Sequence, residues 1–472
     1  MSLTRTIAHN TIIQIIGKGA GLAFSILTLG ILTRYLGPTQ FGYYTTAFAF
    51  LQVFGILIDF GLQMITAQLI SDPKEDESRM LSNIFTLRLT LTSIFFIAPL
   101  ISLLFPYPNE IKIGIAITSV TYICSTLSTV LVGLFQKHLL MKKVAFADFI
   151  GKMSFFFLVL FTTNARFGLI SIFIVSALSQ GIYVIILYCY AAKITRIRIL
   201  AEKEKWKIII SRSWPIALSI ALNLIYFKAD TIILSLVKTQ EAVGLYGAPY
   251  KILETIIGLS YLFLGLLLPL MTGAFAENNM ERFKNIIQRG FDAMIILSVP
   301  MVFGTLVLGK SIMVFVAGKD YAISGEILKV LILASAAIFI AAVFGYGIVA
   351  MNKQKQMIKY YCVNAIVSLA AYIIFIPRYS YWAAAWITVF SEFFILCFAF
   401  WILYLNTKFI PRLKVFFKSL LASAVMAMAI FLTTDMHVIF SLAIGVAVYG
   451  IILYGVKGVT KETIAEIIKI KS

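Results

Sequence analysis

The chain has 472 residues, 61% of them hydrophobic and 13% charged, with a mean hydropathy of +0.96. Soluble domains are about 45–50% apolar and about 25% charged, so a soluble enzyme or binding module is excluded and a polytopic membrane protein is implied. The net charge of +19 would point to nucleic acid in a soluble protein, but in a membrane protein Lys and Arg first collect in cytoplasmic loops.

A spanning helix needs about 20 mostly apolar residues. Fourteen stretches qualify, near 9–33, 41–70, 82–105, 112–136, 144–163, 167–191, 211–236, 243–275, 288–309, 326–350, 357–376, 382–405, 413–433 and 436–455. Ten-residue units of alternating polarity are absent, which disfavours a β-barrel. The first stretch contains Lys18 and runs into the next without an A-x-A site, so it reads as a span and not as a cleaved signal. With the N-terminus inside, 27 basic residues fall in inward loops and 8 in outward loops. That asymmetry places both termini in the cytoplasm. The longest inward loop, 192–210, is basic and reads as a solvated linker against anionic headgroups.

The linker divides the chain near its middle, and the two sides share short matches at an offset of 202 residues. Ile31-Leu32-Thr33 falls on Ile233-Leu234-Ser235, Phe41-Gly42-Tyr43-Tyr44 on Val243-Gly244-Leu245-Tyr246, and Asn83-Ile84 on Asn285-Ile286. Six helices per half is an even number, so the halves share an orientation, as in parallel-repeat transporters. The expected fold is therefore all-α, with about 14 transmembrane helices. It comprises a six-helix lobe over 1–191, a cytoplasmic basic linker over 192–210, a second six-helix lobe over 211–405, and two further helices with a cytoplasmic tail over 406–472. Gly37 and Pro38 predict a turn, whereas Gly42 and Gly244 permit a helix start or the close approach of a neighbour.

Five basic residues remain inside spans: Lys18, Arg88, Lys152, Lys228 and Lys251. Six acids accompany them: Asp59, Asp148, Asp230, Glu254, Asp292 and Glu392. A charge at a helix centre costs about 2.5–3.5 kcal/mol on insertion scales, so these groups are expected to face a bundle interior or wet cavity and to mark a functional site. Asp148 with Lys152 (i,i+4) and Lys251 with Glu254 (i,i+3) can neutralise each other. Arg88 and Asp292 lie close enough to the cytoplasmic end to snorkel. Lys228 and Asp230 diverge around their helix, and Lys18, Asp59 and Glu392 are deep. The net sign inside the spans is slightly negative, so a cationic cavity requires acids that are paired, protonated or elsewhere.

Other chemistry is sparse. The four cysteines sit in apolar runs without metal spacing and read as small buried hydrophobes. The three histidines are scattered. No P-loop, H-E-x-x-H or G-x-S-x-G occurs, and the short outward loops carry only scattered acids. No catalytic residue, metal or cofactor is expected.

Ile31–Leu62 (ILTRYLGPTQFGYYTTAFAFLQVFGILIDFGL) resembles the amino-terminal signature of the polysaccharide-biosynthesis (Wzx-type O-antigen) flippases of bacteria and archaea. Ala229–Glu254 resembles their second-half motif, and Pro300–Ala334 and Ala350–Gln356 are similar too. That family belongs to the multidrug/oligosaccharidyl-lipid/polysaccharide exporter superfamily. The resemblance implies two six-helix lobes around a central cavity in the cytoplasmic membrane of a prokaryote. It implies a substrate in the form of a polyprenyl-(pyro)phosphate-linked oligosaccharide, flipped from the cytoplasmic to the outer leaflet by alternating access. Membrane lipids, and polysaccharide polymerases or glycosyltransferases, are the partners it suggests; nucleic acid is not.

By the same resemblance Lys18, Arg88, Lys152, Lys228 and Lys251 would meet the anionic head, and the six acids would couple or balance charge. Arg34, beside Gly37 and Pro38, would serve gating or folding. Two alternatives stand beside this one: a multidrug or small-molecule antiporter of the same fold, and a membrane glycosyltransferase or polymerase. The basic residues argue against the first, the short outward loops against the second.

Overall fold

Gly37 and Pro38 separate the first two predicted spans without opening a loop. Gly37 takes φ 65° and ψ 175°, a region that favours glycine. Pro38, with its fixed φ and missing N–H, opens the next helical segment. The two spans thereby form one kinked helix, α1 (Leu3–Asp59). The computed structural model describes residues 3–59, 62–72 and 75–458; within its helices the side chains at 3–18, 56, 57, 59, 63, 64, 215–227, 259, 262 and 266 lie outside that description.

The remaining helices are α2 (Leu62–Ile70), α3 (Glu77–Leu91), α4 (Ile94–Ser102), α5 (Asn109–Lys137), α6 (Met141–Asn164), α7 (Leu169–Ala191) and α8 (Lys203–Val237). They are followed by α9 (Gln240–Ala276), α10 (Met280–Ala317), α11 (Ser324–Ala350), α12 (Ile358–Tyr379), α13 (Tyr381–Thr407), α14 (Lys414–Phe431) and α15 (Val438–Gly455). Among the described residues there is no strand, and twelve helices are long and apolar enough to cross a membrane. Kinked α1 counts once among the twelve, and α8, part of whose side chains lie outside the description, is not counted. The fold is thus an all-helical, multi-span one with about the predicted number of crossings. Large apolar side chains stand on the outside, among them Phe96, Leu104, Ile366, Met428 and Val446, each at least 67% exposed. A soluble surface would not present such groups together; a lipid-facing one does.

The chain forms two compact units, Met1–Gly244 and Leu245–Ser472. In the first, α5 packs against α7 and α1 against α6, and a core of Leu62, Ile65, Leu81, Ile84, Leu134, Phe135 and Leu187 joins α2, α3, α5 and α7. In the second, α11 packs against α13 and α10, and α14 and α15 pack on α10 through Leu308, Met426, Ile430 and Val438. Lipid tails are as apolar as these side chains, so close van der Waals fit and small residues hold such bundles together. Within the first unit, a Cβ on Gly42 would overlap the Gln240 carbonyl, and one on Gly244 would overlap the Pro38 carbonyl. Each glycine also lies against the backbone nitrogen of the other.

The repeat extends to the segments that follow each set of helices. Helices α3 and α10 open on the same device: Asp76 caps the Arg79 amide at 2.7 Å, and Asn279 caps the Arg282 amide at 2.9 Å. Residues 196–200 then run along α3, and the chain turns back so that Glu202 meets Asn83 and Arg79. Ser78 Oγ donates to the Arg196 carbonyl (2.5 Å), the Arg198 amide donates to Ser82 Oγ (3.0 Å), and the Leu200 amide donates to Thr86 Oγ1 (2.9 Å). The match is one of pitch. Two extended residues advance about 6.6–6.8 Å and four helical residues about 6.0 Å, so from 196 to 200 every second residue of the segment meets every fourth of the helix.

The segment ends on Glu202. Its amide donates to Asn83 Oδ1 (2.9 Å), and its carboxylate accepts from Arg79 Nε (2.8 Å) and Nη2 (2.7 Å). In the second unit the segment after α13 is fastened to α10 in the corresponding place. The Arg412 amide donates to Gln288 Oε1 (2.8 Å), and Gln288 Nε2 donates to the Arg412 carbonyl (3.1 Å). Gln288 is the residue that the 202-residue offset places on Thr86.

Candidate functional site

The structure places the charged residues of the spans in several distinct settings. In the first unit Lys152 pairs with Asp148 at 2.9 Å, one turn apart on α6. The pair lies against α1 at Gly21, where an added Cβ would meet Lys152 Cδ at 3.0 Å. The side chains of Lys18 and Asp59 lie outside the described residues.

Arg88 is fully buried on α3. It donates to the Ile58 carbonyl (2.7 Å), the Thr126 carbonyl (3.1 Å) and Thr129 Oγ1 (2.7 Å). Ile58 is in the last turn of α1, where carbonyls lack helical partners, so the guanidinium closes that end and ties it to α5. Lys228 is 7% exposed and Asp230 fully buried, both on α8. Asp230 Oδ1 accepts from the Thr231 amide (2.5 Å) and hydroxyl (3.1 Å).

In the second unit Lys251 pairs with Glu254 at 2.9 Å on α9, with the lysine side chain 62% exposed. Asp292 accepts from Gln288 Nε2 (2.9 Å) and so belongs to the fastening of the 412 segment. Glu392 is buried on α13. One turn earlier on that helix, Thr388 Oγ1 meets the Tyr246 and Tyr372 hydroxyls at 3.4 and 3.3 Å. Arg34 is exposed on α1, with Nη1 3.3 Å from the Gly30 carbonyl. Among the described residues no group of three His, Cys, Asp or Glu could hold a metal ion.

A second set of charges gathers where loops predicted to face inward meet in the first unit. Glu77 pairs with Lys137 and with His138 (3.0 Å), Glu75 with Lys205 (2.6 Å), Asp72 with Arg212 (3.6 Å) and Glu202 with Arg79 (2.7 Å). The Arg79 guanidinium holds the Glu202 carboxyl below the usual carboxylate range. Sequence reasoning missed these cross-loop pairs. The one local signal was the polar stripe Ser78, Ser82, Thr86 on a single face of α3, which marks a surface that something polar covers.

A multi-span helical bundle with an internal repeat and buried charges within its spans has the architecture of a membrane transporter. The model of the family described as "Polysaccharide biosynthesis protein" matches residues 7–275. The chain belongs to that family. It is 22% identical over 397 residues to the "Putative O-antigen transporter" of Shigella dysenteriae, an alignment that covers 82% of this chain and 98% of that one. Its fold is similar to that of the lipid II flippase MurJ, a structure described as an inward closed conformation, with TM-score 0.76, 15% identity, and coverage of 94% of this chain and 97% of the other. It is also similar to that of a multidrug resistance MATE transporter of the MOP superfamily, described as inward-facing, with TM-score 0.66, 12% identity, and coverage of 84% and 98%. These relatives and neighbours are named as transporters and flippases, not as enzymes.

Proposed function

We propose that this protein flips a polyprenyl-(pyro)phosphate-linked oligosaccharide from the cytoplasmic to the outer leaflet of a prokaryotic inner membrane, by alternating access, for surface polysaccharide synthesis. The observation that carries the reading is the likeness to an O-antigen transporter along 98% of that protein's length. Membership of the polysaccharide biosynthesis family supports it. In this reading 1–191 and 211–405 are the two lobes, 192–210 is the cytoplasmic connection, and both termini are cytoplasmic. Polymerases or glycosyltransferases of the same pathway are the partners.

The anionic head is assigned first to Lys228, which is buried on α8. A buried ammonium is kept in a membrane helix only where a counter-charge or a ligand compensates it. Lys18, Lys152, Lys251 and Arg88 are the further cations of the site, and Asp59, Asp148, Asp230, Glu254, Asp292 and Glu392 trim or couple charge. Arg34, Gly37, Pro38, Gly42 and Gly244 shape the movement of α1 and α9.

The test is complementation of a strain lacking its own O-antigen flippase, read as surface polysaccharide on a gel. Restored polymer with wild type, and at least a tenfold loss with Lys228→Gln at equal protein level, is the expected result. No polymer with substrates of several repeat structures would sink the reading. Restored resistance to cationic drugs in its place would favour an antiporter of the same fold.

A further inference from the structure

Among the described residues, the second unit holds one buried acid whose surroundings differ from those of the other charges in the spans. Glu392 is 5% exposed, and among the described residues no hydrogen-bond donor or cation is paired with its carboxylate. Phenols from two other helices lie near it, and a third stands beside one of them. Tyr261 of α9 and Tyr361 of α12 lie within electrostatic range of the carboxylate. Tyr346 of α11 stands with its ring centroid 6.5 Å from that of Tyr261, the planes 33° apart. Of the bases on these helices, Lys251 pairs with Glu254 and Lys329 with Glu326, the Lys359 ammonium lies 4.8 Å over the Tyr360 ring, and Arg378 stands in the last turn of α12.

A lone carboxylate in a membrane protein is costly and marks a site by default. It accepts hydrogen bonds on two oxygens, whereas a phenol both donates and accepts. Aromatic rings offer large apolar faces with a polar handle. Among the described residues no cation is paired with this carboxyl to attract a phosphate. A pyranose fits each element: vicinal hydroxyls for the carboxylate, further hydroxyls for the phenols, and a C–H face for the rings.

We propose that Glu392, Tyr261, Tyr346 and Tyr361 form a glycan-binding subsite in the second unit, which takes a pyranose of the lipid-linked substrate through its hydroxyls and its C–H face. This rests on the flippase reading and adds a division of labour to it. The cations hold the pyrophosphate, and the phenol–carboxylate cluster holds the sugar.

The test compares two probes on the full-length protein in phosphatidylcholine nanodiscs: undecaprenyl pyrophosphate alone, and the same lipid bearing one hexose or one N-acetylhexosamine. The reading is the ratio of the two affinities for each variant, so a general loss of fold, which lowers both, is separated from loss of the sugar contribution. Wild type is expected to bind a glycosylated probe about tenfold more tightly than the bare lipid. Glu392→Gln, Tyr261→Phe and Tyr361→Phe are each expected to reduce that ratio at least threefold. Should Glu392→Gln fail to fold, the two phenylalanine variants decide the matter.

A ratio near one in wild type, or one unchanged in the variants, overturns the subsite while binding of the bare lipid leaves the flippase reading standing. Binding of neither lipid, together with failed complementation, removes the flippase reading itself. Glu392-dependent binding of tetraphenylphosphonium with no sugar increment would make the cluster an organic-cation site and overturn the proposal.

Discussion

Glu202 receives the Arg79 guanidinium on both carboxylate oxygens, at 2.8 and 2.7 Å, although 123 residues separate them. The pair closes a seam in which the segment 196–202 is held to α3 by its own backbone. Its backbone is thereby tethered while its two basic side chains, Arg196 and Arg198, remain exposed.

This seam has a pH dependence with a definite sign. Hydrogen bonding to Arg79 depresses the Glu202 pKa. The contribution of the pair is therefore fully present above the ordinary Glu value of about 4.3 and is lost as pH falls through the depressed one. Protection of the Arg198 and Leu200 amides from hydrogen exchange, relative to the intrinsic rate at each pH, should fall below about pH 4. It should fall at neutral pH in Glu202→Ala and, because the pair is solvent-exposed, in high salt. Unchanged protection in all three conditions would show that the hydroxyls of α3 hold the segment alone.

The corresponding tie in the second unit is a side-chain amide. Gln288→Ala removes both of its bonds to Arg412 and the bond to Asp292. A typical net hydrogen bond contributes about 0.5–1.5 kcal/mol, so the expected loss for three is about 1.5–4.5 kcal/mol and local. Limited proteolysis between 408 and 413 should rise in the variant. A cleavage pattern identical to wild type would count against the tie.

Arg88 acts through its shape as well as its charge. Three of its hydrogen bonds leave in different directions, to α1 and twice to α5. A lysine keeps the charge but cannot reproduce that fork. Each buried acceptor left unpaired costs about 1–3 kcal/mol. Arg88→Lys should therefore lower the unfolding temperature in detergent nearly as far as Arg88→Ala does. Full rescue by lysine would reassign Arg88 to a purely electrostatic role.

The glycines at the α1–α9 crossing predict a sharp contrast. Gly42→Ala and Gly244→Ala would each drive a methyl into a backbone carbonyl, which cannot swing aside as a side chain can. Overpacking of this kind costs about 1–3 kcal/mol or more. Gly181→Ala and Gly450→Ala meet nothing within 4 Å and should be neutral or mildly stabilising, since alanine is the better helix former by about 1 kcal/mol. Equal effects across the four variants, read as unfolding temperatures, would contradict the crossing geometry.

What the sequence disclosed follows from range. Apolar runs, the Gly37–Pro38 break and the i,i+4 pairing of Asp148 with Lys152 are local properties, and each was legible from neighbouring residues. The seam at 196–202 joins residues 114 to 123 apart, and its hydrophilic composition alone reads as a free linker. The cluster around Glu392 draws on four helices, and none of its tyrosines differs, as a letter in the sequence, from the tyrosines expected at a membrane interface. Arg88 was legible as a buried charge, but not as the group that closes the end of α1, because its acceptors are mostly backbone carbonyls and leave no trace in composition.

Gly42 and Gly244 are separated by the repeat offset of 202 residues, and so are their opposing carbonyls, Pro38 and Gln240. The contact is therefore reciprocal: what the first glycine meets is the equivalent of what the second meets. The constraint on the two positions is therefore the same and shared: a side chain at either one has to clear the backbone carbonyl opposite, so neither position can relax without the other.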